Sequence, residues 1–198
     1  MNIIFMRHGE AIDNIKKVIS DKEIYWSILT PNGVNMVQET VEALPKNIDK
    51  MYVSPLPRTI QTANLVYTRY PCLNIEIDNR IRESFHGKYS GQENNEDLDN
   101  VRKMQIAGDY FVRFGDYGEN KWEIEWRLTN FLKDIKENNN MDSTILVVSH
   151  GSIISHMKRI LGFKTPHIQT GKTEEFCDVD FGNVYANLEL LEKIRRID

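Results

Sequence analysis

The chain has 198 residues, 40% hydrophobic and 27% charged, with a formal net charge of −4. That is enough apolar material for one sizeable core in a chain of ordinary single-domain length, so one domain over residues 1–198 is expected. The mildly acidic balance argues against nucleic acid or an anionic membrane surface as partner, and any positive charge that matters must be local.

MNIIFMRHGE opens with a short apolar run but shows neither a basic leader nor a small-residue cleavage site, and no apolar segment is long enough to span a bilayer. A soluble cytoplasmic protein is the expectation. Cys72 and Cys177 stand apart, with no CxxC and no Cys/His cluster at metal-ligand spacing, which reads as two reduced structural thiols.

In chain order, Asn2 to Met6 reads as a buried strand that delivers Arg7-His8-Gly9 to a loop. Thr30-Pro31 supplies a hydroxyl N-cap and a proline at the first helical position, and Val34, Val37, Val41 and Leu44 recur at helical spacing. Ile48 to Ser54 is a second strand ended by the prolines of SPLP, followed by a helix from Arg58 to Arg69. Leu73 to Ile77 reads as a strand and the polar stretch from Ser84 to Glu96 as loop. Ile124, Leu128, Phe131 and Ile135 form the apolar stripe of a long helix, with Trp122 and Trp126 on the next row as packing residues. Thr144 to Val148 is a β-branched run ending at Ser149-His150-Gly151, after which Ile153, Ile154, Met157, Ile160 and Leu161 follow at helical spacing. Alternating strands and helices imply a largely parallel sheet covered on both faces, with two strands ending in His-Gly.

Ligands of such sheets bind beyond the strand C-termini. If those ends share one edge, Arg7, His8, Arg58, Glu83 and His150 meet in one cleft. A neutral histidine held by a hydrogen bond at one ring nitrogen is a competent nucleophile toward phosphorus at the other. The planar forks of Arg7 and Arg58 match phosphate oxygens. His150, if protonated, adds a third cation, and a helix starting at Gly151 points its positive end at the same anion. A carboxyl, for which Glu83 is the candidate ahead of Glu10, Asp21 and Glu119, must protonate the departing alcohol and then deprotonate water. This inventory suits phosphoryl transfer and calls for no metal or organic cofactor.

RHGE, SPLPRTIQTA, IRESFHG and VVSHG, in that order between Met1 and about Leu161, together resemble the histidine phosphatase or phosphoglycerate mutase-like superfamily. The resemblance implies a three-layer α/β/α sandwich with a mostly parallel sheet and a small helical insert over the active site, here at about residues 87–121. It implies His8 as nucleophile, Arg7, Arg58 and His150 as the rest of the phosphate pocket, Glu83 as proton donor, and Asn14 and Gly151 in contact with substrate. Thr30 and Gly33 match the family's LTxxG turn, and Gly118-Glu119 matches the Gly-Glu of its insert. Met36 replaces the usual glutamine and Ala11 the threonine of RHGET. His86 stands where the mutases carry tyrosine, and no paired-arginine segment lies between Gly87 and Trp122, so hydrolysis of a small phosphorylated metabolite is expected ahead of mutase chemistry. A phosphohistidine or phosphoprotein phosphatase and a non-catalytic phospholigand-binding module are further alternatives. His86, His156 and His167 receive no role, Lys16, Lys17 and Lys88 read as ordinary surface lysines, and the sequence carries no signal for an oligomeric state.

Overall fold

Alternate side chains of the first strand, Ile3 and Phe5 against Ile4 and Met6, are all buried, so this strand needs cover on both faces. A computed structural model, which describes residues 1–22 and 27–195, supplies it. Strands β1 (Asn2–Arg7), β2 (Lys50–Val53), β3 (Asn74–Ile77), β4 (Thr144–Ser149) and β5 (Thr173–Phe176) form one sheet in the order β3-β2-β4-β1-β5. All pairings are parallel except β1 with β5. Ile4 and Met6, with Met51, Val53, Leu146 and Val148, pack under helices α2 (Pro31–Ala43) and α3 (Pro57–Arg69). Ile3 and Phe5, with Tyr52, Ile145 and Val147, pack under α5 (Lys121–Asn138), α6 (Gly151–Ile160) and α7 (Gly182–Arg195). The result is the expected three-layer α/β/α arrangement.

Local signals hold at the helix starts. Thr30 Oγ1 accepts from the Gly33 amide at 2.9 Å, with Pro31 at the first helical position of α2. Asn120 and Glu123 form a reciprocal capping box on α5. Trp122 and Trp126 stack at 5.2 Å, and Trp122 Nε1 donates to Leu191 O, so the pair packs against α7.

Several features depart from the sequence expectation. The stretch from Ser84 to Asn95 is loop as expected, but it is packed: Ser84, His86 and Tyr89 are buried around a 3-10 turn at Gly87–Tyr89. The insert is helical as expected, holding α4 (Glu96–Ile106), whereas the short helix α1 (Ile12–Lys16) after the first His-Gly was not anticipated. Cys72 and Cys177 are unpaired and exposed, so neither contributes to packing. Beyond Leu161, where no element was assigned, β5 and α7 complete the sheet edge and the second helical layer. No helix among the described residues is long and apolar enough to cross a membrane.

Candidate active site

Arg7 ends β1, His150 follows β4, and Ser54 follows β2, so three neighbouring parallel strands deliver their C-termini to one edge. The register Arg7 to Ser149 and the bond from the His8 amide to Ser149 O at 3.1 Å place the two His-Gly segments side by side. Their rings lie 5.3 Å apart.

Hydrogen bonding fixes the tautomers. The Gly9 carbonyl can only accept, so His8 Nδ1 carries the proton it donates at 2.8 Å, and Nε2 keeps its lone pair. Arg58 Nε donates to that lone pair at 3.1 Å, and Arg58 Nη2 donates to His150 Nδ1 at 3.0 Å. His150 therefore carries its proton on Nε2 and donates it to Ser54 Oγ at 2.7 Å. Arg58 sits at the first turn of α3, where Pro57 starts the helix, and is only 2% exposed. Asp13 Oδ2, 3.8 Å from Arg58 Nε, partly offsets this buried charge, and the Ser27 hydroxyl donates to the same carboxylate. Thr62, one turn after Arg58, accepts from the Gly9 amide at 3.3 Å and donates to Arg58 O at 2.8 Å, tying the His8 loop to α3.

Burial drives the His8 imidazole well below its ordinary range, with the Arg58 and Arg7 cations adding to the effect against the Gly9 hydrogen bond. Burial does the same to His150, helped by Arg58 and by His8. Both rings are neutral near pH 7. The expected third cation is thus not present in this arrangement: a fully buried ring whose Nδ1 accepts from a guanidinium has no reason to hold a second proton.

Arg7 is held by two acceptors, His167 Nε2 at 3.0 Å and Ile168 O at 3.1 Å, both on Nη1. Its Nε is buried and unpartnered among the described residues. Burial lowers the Arg7 pKa, and Glu83 opposes that shift. Because Arg7 must donate, His167 accepts at Nε2 and donates from Nδ1 to Ser155 Oγ at 3.0 Å, and Ser155 Oγ donates to Gly151 O at 2.9 Å. Burial and Arg7 together lower the His167 pKa.

Of the four acidic candidates, three are otherwise engaged. Glu10 accepts from Thr30 and Asn32, Asp21 from His86 and Ser90, and Glu119 from the Phe85 amide and Arg127. Among the described residues, Glu83 Oε1 takes only the neighbouring Ser84 amide at 2.9 Å, and its carboxyl acts electrostatically on both Arg7 and His167. It lines a cavity of about 780 Å³ together with Ser84, Ser152, Ser155 and His167. Asn14 lies with Arg7, Asp13 and Lys17 around a second opening of about 500 Å³, its Oδ1 accepting from the Ala11 amide. Gly151 is the first residue of α6, beside Arg7 and His167. All the site residues expected from sequence therefore gather at one sheet edge. Among the described residues, no group of three or more His, Cys, Asp or Glu side chains is placed to hold a metal ion.

Sequence reasoning missed Asp13, Ser54, Thr62 and His167. Ser54 and Thr62 belong to the SPLPRTIQT segment and were readable as polar residues flanking Arg58. Nothing local distinguishes His167, which sits in an irregular loop and gains meaning only by meeting Arg7. His86 does not sit in a solvated loop: it is buried, its amide and Nδ1 both bond Asp21, and its ring lies 4.4 Å from Phe114.

A mostly parallel sheet thus brings two neutral histidines and two arginines together beyond the C-terminal ends of its strands. The chain belongs to the histidine phosphatase superfamily, branch 1, whose family model matches residues 3–182. That match runs past Leu161 and takes in β5 and the turn before it, where the Arg7 amide donates to Lys172 O and the Gly171 amide to His8 O.

Among curated proteins, the chain is similar to a 2,3-bisphosphoglycerate-dependent phosphoglycerate mutase of Thermoplasma acidophilum, 31% identical over 107 residues, covering 53% of this chain and 52% of that protein. It also resembles agropine synthesis reductase of Rhizobium rhizogenes, 32% identical over 122 residues, covering 52% of this chain and 28% of that protein. These matches thus span about half the length of the first relative and under a third of the second. Similar solved structures include the α-ribazole phosphatase of Shigella flexneri at 22% identity and TM-score 0.72, covering 88% of this chain and 89% of that one. A mycobacterial glucosyl-3-phosphoglycerate phosphatase in complex with VO3 aligns at 18% identity and TM-score 0.74, with 88% and 91% covered. A phosphoserine phosphatase mutant of Entamoeba histolytica in complex with phosphoserine aligns at 24% identity and TM-score 0.70, with 88% and 89% covered. At these identities the structural likeness establishes the fold.

Proposed function

We propose that the protein hydrolyses phosphomonoesters of small metabolites through a covalent phosphohistidine on His8, without a metal ion or organic cofactor. The observation that carries this reading is the locked His8 ring: Nδ1–H on the Gly9 carbonyl, Nε2 presented as a lone pair to Arg58, and a pKa depressed by burial. An entering phosphoryl group competes for the Arg58 and Arg7 donors, which releases the lone pair and offsets the dianion. Nε2 then bonds to phosphorus as the ester P–O bond breaks, and the leaving oxygen takes a proton from Glu83. Water loses a proton to Glu83 and attacks the same phosphorus, breaking the N–P bond and freeing inorganic phosphate. His150 donates toward Ser54 and keeps the Arg58 fork in place.

Hydrolysis is preferred over mutase chemistry. His86 occupies the mutase tyrosine position but is committed to Asp21, and the insert supplies α4 without the paired arginines. The similarity to one mutase keeps phosphoryl return to substrate as the alternative outcome of the assay. The test is phosphate release from sugar phosphates, phosphoglycerates and p-nitrophenyl phosphate, with chelator present, for wild type and His8→Ala. Chelator-resistant release that vanishes in His8→Ala supports the proposal. Transfer between hydroxyls of phosphoglycerate without net release points to a mutase, and no turnover of any kind overturns the enzymatic reading.

A further inference from the structure

The 780 Å³ cavity beside Glu83 falls within the ~300–1,000 Å³ that take a whole small molecule, and it exceeds what a phosphoryl group needs. Its lining is strongly cationic. Arg102, Lys121, Lys158, Arg159 and Lys164 all line it, while Glu83 is its single lining carboxyl, in a chain that is acidic overall. Much of this charge is already matched. Lys158 pairs with Glu174 at 2.6 Å and Arg102 with Asp99 at 3.0 Å, and the buried Glu125, beside His156, faces both Lys121 and Arg159, whose Nη2 also donates to His156 Nδ1 at 2.8 Å. Glu83 faces Arg7 at the phosphate end. Three carboxylates against five cations leave two positive charges uncompensated. One is Lys164, which has no hydrogen bond or ion pair among the described residues, and the other is shared between Lys121 and Arg159. A second, independent feature lies next to Glu83. Ser84 is 2% exposed, lines the cavity, and its Oγ has no hydrogen-bond partner among the described residues. A buried unpartnered hydroxyl costs stability, and a ligand atom that bonds to it recovers that cost. Phe114, Ile106, Ile124 and Phe163 supply apolar lining to the same cavity.

We infer that this cavity is the subsite for the alcohol half of the substrate, and that this half carries a second anionic group, a carboxylate or a phosphoryl, held toward Lys164 and Arg159. The inference rests on the phosphomonoester reading of His8 for its orientation. It is tested by binding rather than by turnover, so the two can fail separately. Calorimetry on His8→Ala compares 3-phosphoglycerate with glycerol 3-phosphate for the carboxylate, and fructose 1,6-bisphosphate with fructose 6-phosphate for the phosphoryl. The member with the second anion should bind roughly tenfold more tightly or better in one of the two pairs, since a hydrogen bond to a charged partner is worth about that factor. Lys164→Glu in the same background should bring the ratio to within about twofold, and Ser84→Ala should weaken the favoured ligand. Equal binding within both pairs overturns the subsite, as does a preference that survives both Lys164→Glu and Arg159→Gln. Wild-type release of phosphate from p-nitrophenyl phosphate reports separately on the phosphatase reading.

Discussion

The contact between Arg7 and His167 can be broken from behind by a single methyl group. A Cβ at residue 151 would lie 2.4 Å from His167 Nε2, 2.5 Å from His167 Cε1 and 3.0 Å from Arg7 Cζ. Carbon contacts settle near 3.5–4.0 Å, so in Gly151→Ala the ring must retreat by about 1 Å and the guanidinium by a few tenths. The exposed loop carrying His167 can yield, and the 3.0 Å bond to Arg7 Nη1 is lost. A hydrogen bond to a charged group is worth about 1.5–3 kcal/mol, so kcat/KM for phosphate release should fall roughly 10- to 150-fold. Thermal unfolding should move by only a few degrees, because alanine at a helix start recovers about 0.4–1 kcal/mol of chain entropy. Adding His167→Ala removes the obstacle, so the double variant should be no worse than His167→Ala alone. Wild-type activity in Gly151→Ala, or losses that simply add in the double variant, would refute the reasoning.

Glu83→Gln should lower kcat on alkyl phosphates by about 10²–10⁴ and lower it much less on p-nitrophenyl phosphate, whose leaving group needs little protonation. An equal loss on both ester types would remove Glu83 as the acid. Folded His8 and His150 have depressed pKa values, so below the unfolded value near 6.5 the unfolded chain binds protons that the native chain refuses. Stability must therefore fall as pH drops from about 7.5 to 5.5, and denaturation of His8→Gln should show a shallower slope; identical slopes would contradict the assigned neutrality. Ser54→Ala leaves the His150 Nε2–H buried without its acceptor and should cost about 1–3 kcal/mol in a urea titration. In Gly33→Ala the added Cβ would meet Glu10 O at 1.9 Å, backbone against backbone, and a loss of about 3 kcal/mol or more is expected, seen as a drop of roughly 6–12 °C in Tm.

The parts of this protein legible in its sequence are those specified by neighbours in the chain. The strand runs at Asn2 and Thr144, the Thr30-Pro31 helix start and the stripe of α5 rest on periodicity and capping, which act over a few residues. Arg7, His8, Arg58, Glu83 and His150 were readable because each sits in a motif at a strand end or in the segment that follows one, and parallel strands send such ends to one edge. The sequence could not decide what each group does once assembled. His150 is neutral because a guanidinium from α3 donates to it and no solvent reaches it, a condition set 92 positions away in the chain. Glu83 stands out from Glu10, Asp21 and Glu119 only because the fold gives the other three partners. Asp13 against Arg58, His167 against Arg7, and the cationic wall beside Ser84 likewise join segments whose local sequence carries no trace of the meeting. Local composition determined the elements and the chemistry available; burial and long-range pairing, which exist only in the folded chain, decided the charge of the two histidines and which groups meet.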